Sequence, residues 1–195
     1  MAIPASAYIL AGGKSRRFGS PKWRATLNGE TLLDRSAQLC RSLFQEWCVV
    51  AKKGMKTDPP ATVIDRVDVY SPLAGMAAAL SHSKRDWTFI LSCDMPLMKA
   101  GIIKKLWRGT GPGLDAVVPE TKRGHQPLCA FYSSSLLSRC ERMLAEKEYA
   151  LTRLIESSTF RAVDYSADED PFFNVNTPED LEWVRQELIR TRPSS

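Results

Sequence analysis

No apolar run in this sequence approaches the length of a membrane span. The opening stretch MAIPASAYIL has neither a basic n-region nor a long apolar core. A membrane protein and a secreted protein are therefore both unexpected, and the cytoplasm is the expected compartment. Zinc-ligand and redox spacings are missing too. The five cysteines, Cys40, Cys48, Cys93, Cys129 and Cys140, are odd in number and form no C-x-x-C pair. They read as reduced, mostly buried thiols, not as disulfides or zinc ligands. Charge of one sign is not concentrated: 27 Lys and Arg stand against 22 Asp and Glu, scattered along the chain. The resulting +5 suits an anionic small ligand. Nucleic acid is not expected, because no recognition motif accompanies the basic residues. Internal repeats and low-complexity linkers are absent, and 195 residues suffice for one domain, 1–195, with a sizeable core.

Two familiar phosphate loops are also missing. Residues 8–22 read YILAGGKSRRFGSPK and contain Gly13-Lys14-Ser15, the ending of a P-loop. The glycine required five residues before Gly13 is replaced by Tyr8. The pattern G-x-G-x-x-G fails because Lys14 and Arg17 stand where its later glycines belong, which also argues against a flavin or nicotinamide oxidoreductase. What is present is a short apolar strand, Tyr8 to Leu10, that runs into Ala11-Gly12-Gly13 and then Lys14, Arg16, Arg17, Gly19 and Lys22. Glycines allow positive φ and close backbone approach to a ligand. Successive N–H groups make an anion nest, and Arg and Lys add mobile countercharge for phosphate. The composition points to a polyphosphate site; a solvated basic loop after a tight turn is the competing reading.

Along the chain, short apolar runs alternate with segments of helical period. The expected strands are Ala7–Leu10, Trp47–Ala51, Thr62–Ile64, Trp87–Ser92, Ala116–Pro119 and Pro127–Tyr132. Several are nearly continuous in hydrophobicity, as strands of a parallel sheet are when both faces are covered. Helical period runs from Thr31 to Trp47, and Ser71-Pro72 opens a capped helix. Further helices are expected at Ser133–Ala145, at Tyr149–Glu156 and from Thr177-Pro178-Glu179-Asp180 onward. This alternation predicts an α/β fold with a mostly parallel sheet. Ligands of such sheets bind beyond the carboxyl ends of the strands, so the residues just after each apolar run are the candidates.

Two of those positions carry carboxylates. Asp94 follows the run Trp87–Cys93, and Asp65 follows Thr62–Ile64. A carboxylate closing a buried strand is costly without a partner, and Mg²⁺ is a natural one, since it takes one or two carboxylates plus phosphate oxygens and water. A cap on the next segment would also explain Asp94, and a charged turn with Arg66 and Asp68 would explain Asp65. A basic glycine loop together with a strand-end aspartate is what nucleotidyl transfer needs: donors for the leaving pyrophosphate and a metal at the reacting phosphate.

The stretch Leu10-Ala11-Gly12-Gly13-x-x-x-Arg17-Phe18-Gly19-x-x-Lys22 resembles the signature loop of the molybdenum cofactor guanylyltransferase family. Four further stretches match in order: Pro72-Leu73-Ala74-Gly75, Cys93-Asp94-Met95-Pro96, Gln126-Pro127-Leu128, and Asn174-Val175-Asn176-Thr177-Pro178-Glu179-Asp180. The resemblance implies a Rossmann-like three-layer αβα sandwich, similar to the nucleotide-diphospho-sugar transferases. It implies that molybdopterin bearing molybdenum attacks the α-phosphate of GTP and yields the guanine dinucleotide and pyrophosphate. By the same resemblance Leu10, Ala11, Gly12 and Gly13 would touch guanine and ribose, and Asp65 the nucleotide. Lys22, Arg17 and Asp94 would be the catalytic groups, with Lys22 on the phosphates and Asp94 binding both nucleotide and Mg²⁺. Asn174 and Asn176 would lie near the metal or the pterin side, and Gln126 and His125 would face the pterin substrate, with an exposed loop histidine as the competing reading of His125. Ala11-Gly12-Gly13 favours GTP over CTP, since cytidylyl relatives resemble Ala-Ala-Gly here; a related nucleotidyltransferase using CTP or a sugar or alditol phosphate, and a non-catalytic nucleotide-binding protein on the same fold, are the competing readings. An unstable product implies transient contact with molybdoenzymes or with other cofactor-biosynthesis proteins.

Two departures from the family pattern stand out. Val50-Ala51-Lys52 occupies the place of a frequent asparagine, so a nucleotide contact is lost or taken over by Lys52. Pro21 replaces an aspartate before Lys22 without removing it. Elsewhere, His82 reads as the end of a helix. Trp87, Trp107 and Trp183 read as packing. Thr177 and Asp180 are explained by helix capping.

Overall fold

A computed structural model describes residues 1–12, 21–57 and 62–190. Gly13 and Arg17 therefore lie outside the described residues. The strands are β1 (Ile3–Leu10), β2 (Thr26–Leu27), β3 (Glu30–Thr31), β4 (Phe44–Lys52), β5 (Thr62–Asp65), β6 (Trp87–Ser92), β7 (Ala116–Thr121), β8 (Gly124–His125), β9 (Cys129–Ser133) and β10 (Phe160–Asp164). The α-helices are α1 (Leu32–Leu43), α2 (Pro72–His82), α3 (Ala100–Arg108), α4 (Leu137–Ala145), α5 (Leu151–Glu156) and α6 (Pro178–Arg190).

One sheet runs in the order β10-β7-β9-β6-β1-β4-β5, with β8 paired to β7. β1 is parallel to both β4 and β6, β4 to β5, and β7 to β10, whereas β9 is antiparallel to β6 and β7. The carboxyl ends of β1, β4, β5 and β6 thus share one edge of the sheet. Alternation along β1 divides the core. Ile3, Ala5, Ala7 and Ile9 pack with Leu33 and Ala37 of α1 and Ile103 and Leu106 of α3. Tyr8 and Leu10 turn to the other face, where α2, α4 and α5 bury Leu73, Met76, Cys140 and Leu154. Helices on both faces of a mostly parallel sheet make the three-layer sandwich expected of the nucleotide-diphospho-sugar transferase fold.

Several boundaries differ from the sequence expectation. The helix expected to reach Trp47 stops at Leu43, and Phe44 begins β4 directly. Phe44 stacks on Phe89 of β6 with ring centroids 5.4 Å apart, so sheet packing overrides the helical period. β9 starts at Cys129, not Pro127, because Pro127 lacks the N–H that a ladder needs. The segment expected as one helix from Ser133 begins with a 3-10 turn, Ser134–Leu136. Helix α3, strand β10 and the β2–β3 hairpin are additions. The hairpin carries its own signal: Asn28-Gly29, at φ 54° and 87°, forms the two-residue turn that this dipeptide favours. Two helix starts are as the sequence predicts. The Ser71 hydroxyl accepts from Leu73 N at 3.1 Å with Pro72 at the first helical position, and Thr177 Oγ1 accepts from Asp180 N at 3.2 Å.

Candidate active site

The site is assembled where the parallel strands end. Ala11 N donates to Val50 O at 3.1 Å and Cys93 N to Leu10 O at 3.3 Å, so the chain leaving β1 stays bound to the ends of both neighbours. Two residues past β6, the Asp94 carboxylate faces Lys22: Lys22 Nζ donates to Asn176 Oδ1 at 2.6 Å and to Asp94 Oδ2 at 3.5 Å. The side chains of Lys22 and Asp94 keep 22% and 18% of their exposure, enough for a ligand to reach them.

Three segments far apart in sequence meet here because of one apolar cluster beside the sheet. Ala25 and Leu27, just after Lys22, pack with Val175 and with Val184 of α6. Val175 N donates to Asp94 O at 2.8 Å, which ties the two asparagine positions to the end of β6. Asp180 Oδ2 accepts from Asn176 N at 2.7 Å and Thr177 N at 2.8 Å, holding Asn176 by its backbone. Asn174 is turned differently: its Nδ2 donates to Phe172 O, and its own carbonyl accepts from Asn176 Nδ2. The asparagine pair thus divides into one side chain at Lys22 and one bracing the loop.

A cleft of about 320 Å³ lies at the same edge, lined by Leu10, Gly12, Lys52, Asp65, Tyr70 and Gly75, among others. Positive φ is one freedom that glycine offers at position 12. Gly12 does not use it: only Gly29, Gly54, Gly113 and Gly124 are found there among the described glycines. What Gly12 supplies is space: a methyl group on it would lie 3.9 Å from Lys52 Cγ, within the cleft. Gly75 brings α2 against Leu10, since a methyl there would sit 3.3 Å from Leu10 Cδ2. Asp65 is buried and paired with Lys52 at 2.7 Å. Among the described residues its ion-pair partner is not Arg66 of the expected charged turn but Lys52, from the neighbouring strand. A second cleft, of about 460 Å³, lies around Ser6–Tyr8 of β1 and the amino-terminal half of β4 and contains none of the expected site residues. There His82, the last residue of α2, shares a 3.0 Å hydrogen bond with Tyr8 Oη.

His125 and Gln126 sit between β7 and β9. Gln126 Nε2 donates to Thr121 Oγ1 at 3.1 Å and Gly124 O at 3.2 Å, within its own hairpin. His125 packs edge-on against Phe160, and its buried Nδ1 has no hydrogen-bond partner among the described residues. The strip joins the site through Ser92 N, which donates to Leu128 O at 2.8 Å.

A family model described as the MobA-like NTP transferase domain matches residues 7–163. The chain belongs to this family. The molybdenum cofactor guanylyltransferase of Desulfosudis oleivorans is 36% identical over 185 residues, covering 89% of this chain and 91% of that protein. The enzyme of the same name from Campylobacter jejuni is 29% identical, covering 92% and 95%. The crystal structure of molybdopterin-guanine dinucleotide biosynthesis protein A from Archaeoglobus fulgidus superposes with a TM-score of 0.83. That match covers 95% of this chain and all of the other, at 22% identity. The MobA-like chain is accordingly a nucleotidyltransferase, on the fold that the sequence predicts.

Sequence reasoning missed two contributors to the MobA-like site. Ser92 Oγ donates to Asp94 Oδ1 at 2.5 Å and orients the carboxylate; the signal was its place as the last residue of the apolar run, two residues before Asp94. Asp180 holds Asn176, although the sequence explains it by capping alone. Beside Asp94, the Cys93 thiol is pushed well above its usual range by burial and by the neighbouring carboxylate, so it is protonated and inert. Among the described residues no cluster of three His, Cys, Asp or Glu is poised for a metal. No helix among them is long and apolar enough to cross a membrane.

Proposed function

We propose that the chain transfers GMP from GTP to the terminal phosphate of molybdopterin carrying molybdenum, with release of pyrophosphate. The observation that carries this reading is the convergence of Lys22, Asp94 and Asn176 beside the cleft at the carboxyl edge of the sheet. The relatives named above, molybdenum cofactor guanylyltransferases, support the choice of substrates. The attacking oxygen belongs to the acceptor's phosphate, the new bond forms at the α-phosphorus, and the bond to pyrophosphate breaks. No side-chain nucleophile is needed, so the protein's work is positioning and charge compensation.

In this reading Leu10, Ala11, Gly12 and Gly13 lie against guanine and ribose, with Asp65 at the nucleotide. Lys22 and Arg17 compensate the triphosphate. Asp94 holds Mg²⁺, whose contribution when bound is neutralisation of charge at the reacting phosphate. The donors suit that ion: Asp94 Oδ2 and Asn176 Oδ1 are hard oxygens already gathered around one cation, the Lys22 ammonium. Asn174, Asn176, Gln126 and His125 form the pterin side, with His125 Nδ1, which makes no hydrogen bond among the described residues and lies 3.9 Å from Glu120 Oε1, as a donor or acceptor for the substrate. The reaction takes place in the cytoplasm, with transient contact with the molybdoenzymes that receive the product.

The test is direct. Purified protein is given molybdenum-loaded molybdopterin, Mg²⁺ and GTP, CTP, ATP or UTP in turn, and pyrophosphate and the dinucleotide are measured. Turnover with GTP alone is expected. Preference for CTP would make the chain a cytidylyltransferase, and no turnover with any nucleotide would overturn the proposal.

A further inference from the structure

We infer that Lys52 is a positioning residue of the nucleotide cleft, acting through Asp65 and the turn from Val67 to Val69 and not on the nucleotide's phosphates. The inference rests on reading that cleft as the base site. Lys52 and Asp65 close β4 and β5 and lie opposite one another in the parallel ladder. An ammonium has three N–H donors and no acceptor. Three protein acceptors surround this one: Asp65 Oδ2 at 2.7 Å, Val67 O at 2.7 Å, and Val69 O. Asp65 Oδ1 in turn accepts from Val67 N at 3.0 Å. The two side chains retain only 15% and 5% of their exposure.

This arrangement decides between the two fates that the departure at Val50-Ala51-Lys52 left open. A phosphate could recruit the ammonium only by displacing one of its three acceptors, and displacing Asp65 would leave a buried carboxylate uncompensated. The head of Lys52 therefore faces the protein. Its stem faces the cleft, next to Gly12. The bonds to the Val67 and Val69 carbonyls anchor the chain just before Tyr70, Ser71 and Pro72, which line the same cleft. Ser71 then caps α2, the helix whose Gly75 meets Leu10. One ammonium thus sets the distance between the end of β4 and the segment that opens α2.

The experiment is calorimetric titration of the wild-type protein and Lys52→Met with GTP, GMP and guanosine. All three ligands should lose affinity by the same factor, about tenfold, with kcat at saturating GTP within about twofold of wild type. In Lys52→Met/Asp65→Asn the loss should be smaller than the sum of the two single losses, because the carboxylate that Lys52 compensates has gone. Should Lys52→Met fail to fold, Lys52→Arg carries the test: its planar fork cannot reproduce a three-acceptor cage, so a uniform loss across the three ligands is again expected. A loss confined to GTP would place Lys52 on the phosphates and overturn the inference. Unchanged affinities, with or without a lower Tm, would overturn it as well. Failure of the wild-type protein to bind any guanine ligand would overturn the base-site reading itself. That outcome is distinct, since in the others the wild type binds.

Discussion

Lys22 and Asn176, 154 positions apart, are joined by a 2.6 Å hydrogen bond at the carboxyl edge of the sheet. Asp94 completes the group at 3.5 Å from the same ammonium. Two oxygens and one cation therefore already share the place where phosphate and metal chemistry is proposed. The bond also gives each partner a separate, measurable role.

Asp94→Asn keeps the shape of the side chain and removes its charge. We expect kcat/KM to fall by about 10²–10³-fold, the scale of losing one preorganised electrostatic contact. Thermal unfolding should move little, because Ser92 can still donate to the amide oxygen. Full activity would remove Asp94 from the metal role.

Lys22→Ala should act mainly on nucleotide affinity. A charge-assisted hydrogen bond contributes about 1.5–3 kcal/mol, so the Kd for GTP should rise by about ten- to a hundredfold in a fluorescence titration. Unchanged affinity would mean that the phosphates lie elsewhere.

Gly12→Ala tests nucleotide choice. The position needs no positive φ and has 3.9 Å of room before Lys52 Cγ, so the fold should survive. The methyl narrows the cleft, and the preference for GTP over CTP should drop by about tenfold, the scale of one methyl group in a pocket. An unaltered ratio would show that base selection is made by other residues.

Alkaline pH should destabilise the protein. Burial pushes the Tyr8 hydroxyl up from 10 to about 12, and the Cys40 thiol up from 9 to about 12. Between those limits the unfolded chain has released protons that the folded chain retains, so stability falls as pH rises. The contribution is fully present below about pH 9 and lost by about pH 12. Urea midpoints should be flat near neutrality and decline across that window. A flat profile to pH 12 would contradict the burial of these groups.

The layers and the site edge were legible because they rest on local patterns. β1 and β6 are nearly unbroken apolar runs, and a carboxylate follows the second of them. What escaped depended on partners distant in sequence. Nothing near Phe44 shows that it stacks on Phe89, so the end of α1 was misplaced. β10 alternates weakly, with exposed Arg161 and Ala162 on the edge of the sheet. Lys52 and Asp65 each stand out in the sequence, but nothing joins them until the β4–β5 register sets them side by side. The Asn28-Gly29 turn, by contrast, was readable and passed over.

The five thiols also give the molecule a set of clocks. Cys40, Cys93, Cys129 and Cys140 are buried with their acidities suppressed, and Cys48 is half-exposed. An electrophilic label should modify Cys48 promptly and the others only at the rate at which their surroundings open. Because these four lie in α1, after β6, in β9 and in α4, the order in which they react would chart which parts of the protein breathe first. Slower labelling of Cys93 than of Cys140 on adding nucleotide would show that occupancy quiets one end of the sheet in particular.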